Sequence, residues 1–372
     1  MKEQLKKIIR FSTFLKVLTF ICLGALLLAY IAPYIHPNTF KLLPFFGLAY
    51  PIFLIFTFIF LVIWIFVRSR MAILVAFVLL TGGKLHFRMI ALGSEPDPLP
   101  DPDEMLHIMS YNVRLFDLYT SDPSKIGQNR DKIFDYLKKE DPDLICFQEF
   151  YHQDKPTNFE TRDAIIEFLG IKDHHERYAH KLKGRQNFGV AILSKYPMIA
   201  KGDIMFENQG PGDFNYCVFA DIVKDSDTFR IYNVHLQSIR LKQPEHAVFK
   251  ASVKPRSSTL GLMMDKLLIA YPKRAQQARR VMEHMLGSPY PTVVCGDFND
   301  TPLSYTYNQF NKHLTDAFRN TSKGIGATYV GKVPAGRIDY IFHTKDLESC
   351  NFNIQKEVYS DHRAISCRIF KK

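Results

Sequence analysis

The stretch "VVCGDFNDTP" (residues 293–302) predicts a buried strand that ends abruptly in a cluster of carboxylate and amide groups. Its first three residues, Val-Val-Cys, are typical of a strand inside a hydrophobic core. Asp297 and Asn299 follow directly, and such side chains are seldom buried without partners. Two interpretations are open from this stretch alone: an ordinary exit from strand to turn, or a strand that places polar side chains at a functional site.

The same pattern recurs from residue 105 onward, where short strand-like runs alternate with helical segments. Six separate segments place a carboxylate, amide or imidazole group at an end of a strand. These residues are Asn112, Gln148 with Glu149, Asn233 with His235, Asp297 with Asn299, Asp339, and Asp361 with His362. A single residue of this kind is more often a turn or capping residue than a catalyst. Six segments together indicate a shared site.

These residue types suit the hydrolysis of phosphate esters. Cleavage requires neutralisation of charge on the phosphate oxygens, a positioned water and stabilisation of the leaving oxygen. Carboxylate and amide oxygens are the ligands that Mg²⁺ prefers, and a histidine paired with a carboxylate can transfer protons. The sequence has no Cys-x-x-Cys pair, no Gly-x-Ser-x-Gly motif and no Walker-type loop. It therefore favours a hydrolytic metal site over those alternatives.

The motifs "SYNVRLFD", "FQE", "NVHLQS", "GDFND", "RIDYIF" and "SDHRAI" occur here in a fixed order. Together they resemble the endonuclease/exonuclease/phosphatase superfamily, the deoxyribonuclease-I-like metal-dependent phosphodiesterases. The resemblance covers the whole C-terminal part. It implies an α/β fold, a four-layer αββα sandwich of two mostly antiparallel sheets flanked by helices, with the site at one sheet edge. It also implies Mg²⁺ (or Mn²⁺) as the cofactor.

The resemblance further implies a role for each site residue. Asn112, Glu149 and Asp361 resemble the residues of the metal site. After Asn112 the chain reads Val-Arg, where abasic-site endonucleases of the superfamily usually have an acidic residue two positions on. Arg114 therefore makes the chain more similar to the deoxyribonuclease-I and sphingomyelinase-like branches of the superfamily. We expect it either to contact a substrate phosphate or to form a structural ion pair.

Five further residues resemble the catalytic residues of the superfamily. His362 resembles the catalytic imidazole, and Asp339 the carboxylate that orients it. His235 resembles the histidine that contacts the scissile phosphate. Asp297 resembles the group that positions or activates the attacking water, and Asn299 the group that stabilises the transition state. The division of labour between Asp297 and His362 is debated for the superfamily and is left open here.

The positive charge of the chain is concentrated near its N-terminus. Residues 1–91 contain ten Lys and Arg and one acidic residue, so that +9 of the net charge of +11 lies there and +2 lies in the remainder. Basic residues that flank apolar segments report membrane topology. The C-terminal part lacks the strong positive field of a dedicated duplex-DNA binder.

Apolar residues dominate the N-terminal quarter of the chain. Residues 14–35 and 42–67 are each long enough to cross a hydrocarbon core, which requires about 20 residues. Residues 71–92 form either a third span or an interfacial helix. We predict a membrane anchor at 1–92 with two or three transmembrane helices, a proline-rich acidic linker at 93–104 and a catalytic domain at 105–372.

The number of spans decides the predicted topology. The basic N-terminus and the pair Arg68 and Arg70 are expected on the cytoplasmic side. Three spans then place the catalytic domain outside the bacterial inner membrane, whereas two leave it facing the cytoplasm. We favour three spans because the turn at 68–70 is short enough for a direct helical re-entry.

The C-terminal part contains two further basic regions. Residues 238–259 contain five basic residues and one acidic residue, which fits either a lid over the site or a solvated insertion. Arg274, Arg279 and Arg280 belong to a helical run, and we expect all three on its solvated face.

The first functional hypothesis is a membrane-anchored, divalent-metal-dependent phosphodiesterase, nuclease-like or sphingomyelinase-like, that hydrolyses its substrate by in-line attack of water. Its substrate would be nucleic acid, a phospholipid headgroup or a nucleotide. The lipid bilayer is the second expected partner, and no obligate protein partner is inferred. One alternative is a phosphomonoesterase acting on a small or lipid phosphate. Another is a non-catalytic scaffold, although such a protein would be expected to have lost some of the site residues.

Overall fold

The computed structural model describes residues 2–120, 122, 124, 126–206, 215–239, 259–331 and 336–372. It divides into two compact units. The N-terminal unit comprises Met1–Met89 together with Thr301–Asn308, and the sandwich unit comprises Ile90–Asp300 together with Gln309–Lys372. Most of the segment expected to be a lid or a solvated insertion, residues 240–258, lies outside the described residues.

The N-terminal unit is helical. Its helices are α1 (Lys2–Ile31), α2 (Leu43–Leu48), α3 (Tyr50–Phe66), α4 (Met71–Thr81) and α5 (Gly83–Met89). Among the described residues, one helical stretch, Ser12–Tyr34, is long and apolar enough to cross a membrane. Helices α4 and α5 pass the same test only as a pair, with a bend of 61° between them, and α3 is a shorter apolar helix of 17 residues.

Two of the expected spans are therefore interrupted. The stretch 42–67 divides at Ala49 into α2 and α3. The stretch 71–92 divides at Gly82, which packs against the ring of Tyr30 so closely that a Cβ atom at position 82 would lie 2.2 Å from it. Glycine is required for this approach, and the helix ends there. Apolar composition identified the segments, but the sequence pattern did not locate the breaks.

The N-terminal unit has an apolar exterior and pairs polar groups inside. The side chains of Phe66 and Leu80 are 83% and 79% exposed. Arg88 is buried and donates to Oδ1 of Asn308 at 2.9 Å. Asn308 in turn donates to the carbonyl oxygen of Pro33 at 2.9 Å. Buried polar groups with such partners avoid the cost of desolvation without a hydrogen bond.

The sandwich unit contains fourteen described strands in three sheets. They are β1 (Ala91–Leu92), β2 (Leu106–Asn112), β3 (Leu144–Gln153), β4 (Asp173–Leu182), β5 (Gln186–Ser194), β6 (Met198–Ile204), β7 (Tyr216–Lys224), β8 (Asp227–His235), β9 (Thr292–Asp297), β10 (Thr315–Asp316), β11 (Lys323–Gly324), β12 (Asp339–His343), β13 (Leu347–Ile354) and β14 (Ile365–Lys371).

Two six-stranded sheets form the centre of this unit. One has the order β10-β12-β9-β8-β7-β6 and the other β13-β14-β2-β3-β5-β4. Each sheet has a single parallel pair, β8 with β9 and β2 with β3, and its remaining pairs are antiparallel. Apolar side chains of the two sheets, such as Ile108 and Val190 from one and Val218 and Ile231 from the other, meet in one core cluster.

Helices flank the sheets. They are α6 (Gln128–Glu140), α7 (Thr161–Leu169), α8 (Thr259–Leu286), α9 (Tyr305–Asn311), of which the last three residues belong to this unit, and α10 (Ala317–Thr321). Ile133 of α6 and Ile165 of α7 pack with Phe147 in a second cluster on the outer face of the β2–β3 sheet. On the other sheet, the hydroxyl of Tyr232 lies 2.8 Å from Nδ1 of His284 in α8. The expected α/β fold, two mostly antiparallel sheets flanked by helices, is confirmed.

Candidate active site

Strand register places three of the expected catalytic residues side by side. His235, the last residue of β8, pairs with Asp297, the last residue of β9. Asp339, the first residue of β12, pairs with Asp297 from the other side. Residues paired across neighbouring strands project from the same face of a sheet. The three residues are therefore adjacent because two strands end, and a third begins, at one edge.

Asp297 is held by hydrogen bonds from two asparagines. Its Oδ1 accepts from the backbone N–H of Asn299 at 2.8 Å. Its Oδ2 accepts from Nδ2 of Asn112 at 3.0 Å and from Nδ2 of Asn299 at 3.2 Å. The preceding Gly296 has φ 142°, and a Cβ atom there would lie 1.9 Å from the carbonyl oxygen of Val234. Glycine thus allows β8 and β9 to approach closely next to the site.

His362 lies between two carboxylates. Its Nδ1 is 3.0 and 3.1 Å from the two carboxylate oxygens of Asp339, and its Nε2 is 3.7 Å from Oδ2 of Asp297. Burial, the largest single influence, lowers the pKa of His362, but the negative charges of Asp339 and Asp297 outweigh it and raise the pKa to about 10. The imidazole is therefore a cation at neutral pH in this arrangement.

Asp297 has two imidazoles close to the same oxygen, because Nε2 of His235 also lies 3.7 Å from its Oδ2. Burial raises the pKa of Asp297, and the charge of His362 opposes this shift. A raised pKa makes a carboxylate a stronger base than an ordinary aspartate. We call the group of His235, Asp297, Asn299, Asp339 and His362 the closed side of the site.

Three other expected residues, Arg114, Glu149 and Asp361, form together with Tyr329 the open side of the site. Glu149 has φ 47° and lies where the register of β3 with β5 shifts between Phe147 and Phe150. Such bulges redirect side chains beside active sites. Asp361 Oδ2 is 3.6 Å from Nε of Arg114. An ion pair of Arg114, one of the two expected roles, is therefore present.

Tyr329 connects the two sides and was not among the expected site residues. Its ring lies edge-on to that of His362, with centroids 5.1 Å apart, and the two residues form an isolated β-bridge. Burial raises its pKa, followed by the negative charge of Asp361, with smaller contributions from Asp297 and Glu149. One isolated bridge has no sequence periodicity, so no pattern in the chain establishes the role of this residue.

Three further polar residues support the site, and no sequence pattern identified Ser360 or Asn215 among them. Thr328 Oγ1 accepts hydrogen bonds from the backbone N–H groups of Ile338 and Asp339 at 3.1 and 3.2 Å. Ser360 Oγ donates to the carbonyl oxygen of Asn112 at 2.8 Å. Asn215 Nδ2 donates to the carbonyl oxygen of the residue after His235 at 2.6 Å. Each fixes the backbone beside a site residue rather than adding a group to the site.

Two polar residues that the sequence analysis placed at strand ends serve the core instead of the site. Strand β3 does not end at Gln148, contrary to the expectation, but continues to Gln153. Gln148 Nε2 donates to Oδ1 of Asn233 at 2.7 Å, and Asn233 Nδ2 donates to the carbonyl oxygen of Phe147 at 2.8 Å. Both side chains are fully buried. They join the two sheets, because β3 belongs to one and β8 to the other.

Arg274 does not lie on the solvated face of α8, contrary to the expectation. It is 2% exposed and donates through Nε to the carbonyl oxygen of Gln237 at 2.7 Å. The periodic spacing of Tyr271, Arg274, Ala275 and Ala278 places it on the buried face of the helix. Arg279 and Arg280 are exposed, as expected.

The arrangement can perform acid–base chemistry at an oxygen-rich site. The closed side supplies a carboxylate with two adjacent imidazoles, and the open side supplies carboxylates at an accessible edge. A group of Asp297, Asp339 and His362 has ligand atoms within 4.8 Å of one another. Oxygen donors of this kind suit a divalent cation.

Comparison with known proteins identifies the family. Residues 109–362 match the model of the endonuclease/exonuclease/phosphatase family, and residues 11–88 match that of a domain of unknown function (DUF8431). No match was found among curated proteins.

Solved structures of similar fold include three that align with 72% of this chain. An endonuclease/exonuclease/phosphatase from Bacteroides vulgatus has 18% identity, 99% of its own length covered and a TM-score of 0.51. A family protein from Bacteroides thetaiotaomicron has 18% identity, 95% coverage and a TM-score of 0.50. A humanized D. rerio TDP2 carrying 14 mutations has 16% identity, 99% coverage and a TM-score of 0.50. At these identities the likeness supports the fold.

The family model covers more than half of the chain and includes both sides of the site, from the strand that ends at Asn112 to His362. Phosphate-ester hydrolysis is the chemistry of the family and suits these side chains. The protein belongs to the endonuclease/exonuclease/phosphatase family and is a phosphate-ester hydrolase.

Proposed function

We propose that this hydrolase is a membrane-anchored, divalent-metal-dependent phosphodiesterase in which water attacks the phosphorus in line, without a covalent enzyme intermediate. The observation that carries the proposal is the position of Asp297. One of its oxygens lies 3.7 Å from Nε2 of His235 and 3.7 Å from Nε2 of His362. A carboxylate beside two imidazoles can orient a water molecule and accept its proton while the imidazoles face the phosphate.

Each residue of the closed side has a role in this proposal. Asp297 positions the attacking water and accepts its proton, helped by the raised pKa of its carboxyl group. His235 and His362 donate hydrogen bonds to the phosphate oxygens as negative charge develops on them. Asp339 holds His362 in one orientation through its contact with Nδ1. Asn299 Nδ2, which now donates to Asp297, lies close enough to stabilise the same charge.

Glu149 and Asp361, with the amide oxygen of Asn112, would hold the metal. Both are carboxylates, and hard oxygen donors of this kind fit Mg²⁺ or Mn²⁺. The amide oxygen of Asn112 accepts a hydrogen bond from the backbone N–H of Arg114 at 3.1 Å. When bound, the metal would neutralise charge on the phosphate and on the leaving oxygen.

We assign the metal to the open side rather than to the group of Asp297, Asp339 and His362. In that group, Nδ1 of His362 is directed to Asp339 and the raised pKa of about 10 keeps the imidazole protonated. A protonated imidazole has no lone pair for a metal.

Turnover of matched chromogenic esters tests the function. The full chain in detergent is assayed with bis(p-nitrophenyl) phosphate and p-nitrophenyl phosphate in Mg²⁺, Mn²⁺ or EDTA. We expect metal-dependent cleavage of the diester at the higher kcat/KM. Preference for the monoester would indicate a phosphomonoesterase. Absence of turnover together with absence of Mn²⁺ binding by calorimetry would indicate a scaffold and overturn the proposal.

Membrane anchoring is supported by the exterior of the N-terminal unit. Exposed apolar side chains lie on α1, α3 and α4, among them Ile21, Phe66 and Leu80. A surface of this kind is stable in lipid and unfavourable in water. We propose three membrane crossings, with α4 and α5 as a bent third crossing, and hence a sandwich unit on the extracytoplasmic side of a bacterial inner membrane.

Labelling of an engineered cysteine tests this topology. Lys138 is exposed on α6, whereas all six natural cysteines are buried. We expect a membrane-impermeant maleimide to label K138C in spheroplasts without lysis. Labelling only after lysis would place the sandwich unit in the cytoplasm and favour two crossings.

A further inference from the structure

A left-handed turn begins two residues after Asn112. Four consecutive non-glycine residues, Arg114–Asp117, have φ values of 46°, 54°, 56° and 53°. Each such residue costs about 1–2 kcal/mol relative to the right-handed conformation, so a run of four persists only where its surroundings hold it. Strain of this kind is concentrated at binding and catalytic sites.

The surroundings hold this turn from two directions. Phe116 is fully buried, and its ring lies edge-on to that of Phe150 with centroids 5.6 Å apart. Asp117 Oδ2 accepts a hydrogen bond from Nδ2 of Asn129 at 2.9 Å. The turn is thus fixed by an aromatic cluster on one side and by α6 on the other, and Arg114 is the residue that it leaves 41% exposed.

Arg114 lies between two carboxylates that do not fully engage it. Its Nη1 is 3.5 Å from Oδ1 of Asp117, and its Nε is 3.6 Å from Oδ2 of Asp361. Both distances exceed those of a charge-assisted hydrogen bond. A guanidinium so placed can rotate to a better acceptor at little cost.

A cavity of about 380 Å³ adjoins this guanidinium. Arg114 and Asn129 contribute to its lining, together with the apolar groups of Val330, Val358 and Tyr359. Asp361 also lines it, so the cavity is continuous with the open side. Among its described lining residues, Arg114 is the sole cation. Cavities of this size bind small ligands through apolar contacts and a few placed polar groups.

We propose that this cavity binds the part of the substrate beyond the scissile phosphate and selects phosphodiesters that carry a second, terminal phosphate. The proposal rests on the proposed function. A guanidinium forms paired hydrogen bonds with phosphate oxygens, so Arg114 would bind the terminal phosphate. Val330, Val358 and Tyr359 would cover a flat or apolar body between the two phosphates. The movement of Arg114 would also release Asp361 from its ion pair.

A binding measurement tests the proposal independently of turnover. Thymidine 5′-monophosphate and thymidine 3′,5′-bisphosphate serve as product-like probes that differ only in the second phosphate. Calorimetry on the full chain in detergent compares the wild type, R114Q and R114K, with R279Q as the matched control. Arg279 is exposed on α8.

We expect the second phosphate to lower Kd about tenfold or more in the wild type and in R279Q, since one charge-assisted pair has this effect. R114Q should bring the ratio of the two Kd values near one. R114K, which keeps the charge without the planar fork, should give an intermediate ratio. Equal Kd values in the wild type, or an unchanged preference in R114Q, would overturn the proposal.

The same samples separate this proposal from the proposed function. Cleavage of bis(p-nitrophenyl) phosphate without any preference for the bisphosphate would support the proposed phosphodiesterase activity. It would contradict the proposal that the cavity beside Arg114 binds a second phosphate. A bisphosphate preference that depends on Arg114, without any cleavage, would support the cavity and contradict the catalytic role.

Discussion

The closed and open sides of the site differ in how firmly they are held. On the closed side, Asp297 and Asp339 are 1% and 3% exposed, and Asp297 accepts three hydrogen bonds from asparagines. On the open side, the side chains of Arg114 and Asp361 are 41% and 28% exposed and meet at 3.6 Å. Fixed dipoles suit the stabilisation of a transition state, whereas loosely paired charges suit the exchange of metal and substrate. In the proposed mechanism, this difference corresponds to chemistry on the closed side and binding on the open side.

Loss of an imidazole on the closed side should have the largest effect. We expect His362→Ala to lower kcat about 1,000-fold, within the range for general acid–base groups, with little change in KM because binding depends on the open side. Steady-state kinetics with bis(p-nitrophenyl) phosphate measures both constants. His313→Ala, at an exposed histidine, is the matched control. A loss in kcat below tenfold would show that the closed side does not perform the chemistry.

Rigidity of the closed side depends on the close approach of β8 and β9. Gly296→Ala would place a Cβ atom 1.9 Å from the carbonyl oxygen of Val234, at φ 142°. Because backbone atoms must move, we expect a loss of about 3 kcal/mol in the free energy of unfolding. Chemical denaturation measures it. Gly287→Ala is the control, since a Cβ atom there would lie at an ordinary 3.6 Å from its nearest neighbour, the carbonyl oxygen of His284. Equal stabilities of the two variants would show that β8 and β9 can move apart at position 296 without a loss of stability.

Metal binding should respond to the open side alone. Glu149→Gln removes a negative charge and a strong oxygen donor, so we expect the Mn²⁺ concentration for half-maximal activity to rise roughly 30- to 100-fold. At saturating Mn²⁺ most of kcat should return, because the closed side is intact. Glu167→Gln, at an exposed glutamate on α7, should leave the metal titration unchanged. A kcat that stays low at every metal concentration would assign Glu149 to the chemistry instead.

The sequence names residues of both sides of the site, but it shows the backbone positions of the closed side better than those of the open side. Asp297, Asp339 and His235 occupy strand ends whose apolar runs are visible in the sequence, and strand register then brings them together. Tyr329 lies outside any regular strand. Arg114 depends on a left-handed turn without glycine, a conformation that local sequence preferences oppose. Tertiary packing decides such positions.

The sequence did not distinguish polar residues of the core from polar residues of the site. Gln148 and Asn233 are of the same residue types as the site residues and follow similar apolar runs, yet they pair with each other between the sheets. Arg274 carries a charge that suggests solvent, yet it holds the carbonyl oxygen of Gln237. Composition and position do not distinguish a polar group that binds a ligand from one that satisfies the core.

A histidine at the far end of β2, away from the carboxylates of the site, shows how burial changes a pKa. Asn112 at one end of this strand lies beside Asp297, whereas His107 at the other pairs in register with Arg368. Burial, the largest influence, and the charge of Arg368 together lower the pKa of His107 to about 4, against the opposing charge of Asp143. The pKa shift of His107 is thus opposite in direction to that of His362, whose pKa is raised.

This contrast predicts a small, pH-dependent effect on stability. His107 is neutral when folded and becomes protonated below about pH 6.5 when unfolded, so its contribution to stability is complete above that pH and is lost as the pH falls toward 4. Between pH 7.5 and 4.5 the wild type should lose about 2 kcal/mol more than His107→Gln, since one pKa unit corresponds to about 1.4 kcal/mol. Denaturant unfolding at both pH values measures the difference. If the stabilities of the wild type and His107→Gln changed in parallel with pH, His107 would have the same pKa in the folded and unfolded states. Burial would then not lower the pKa of this histidine.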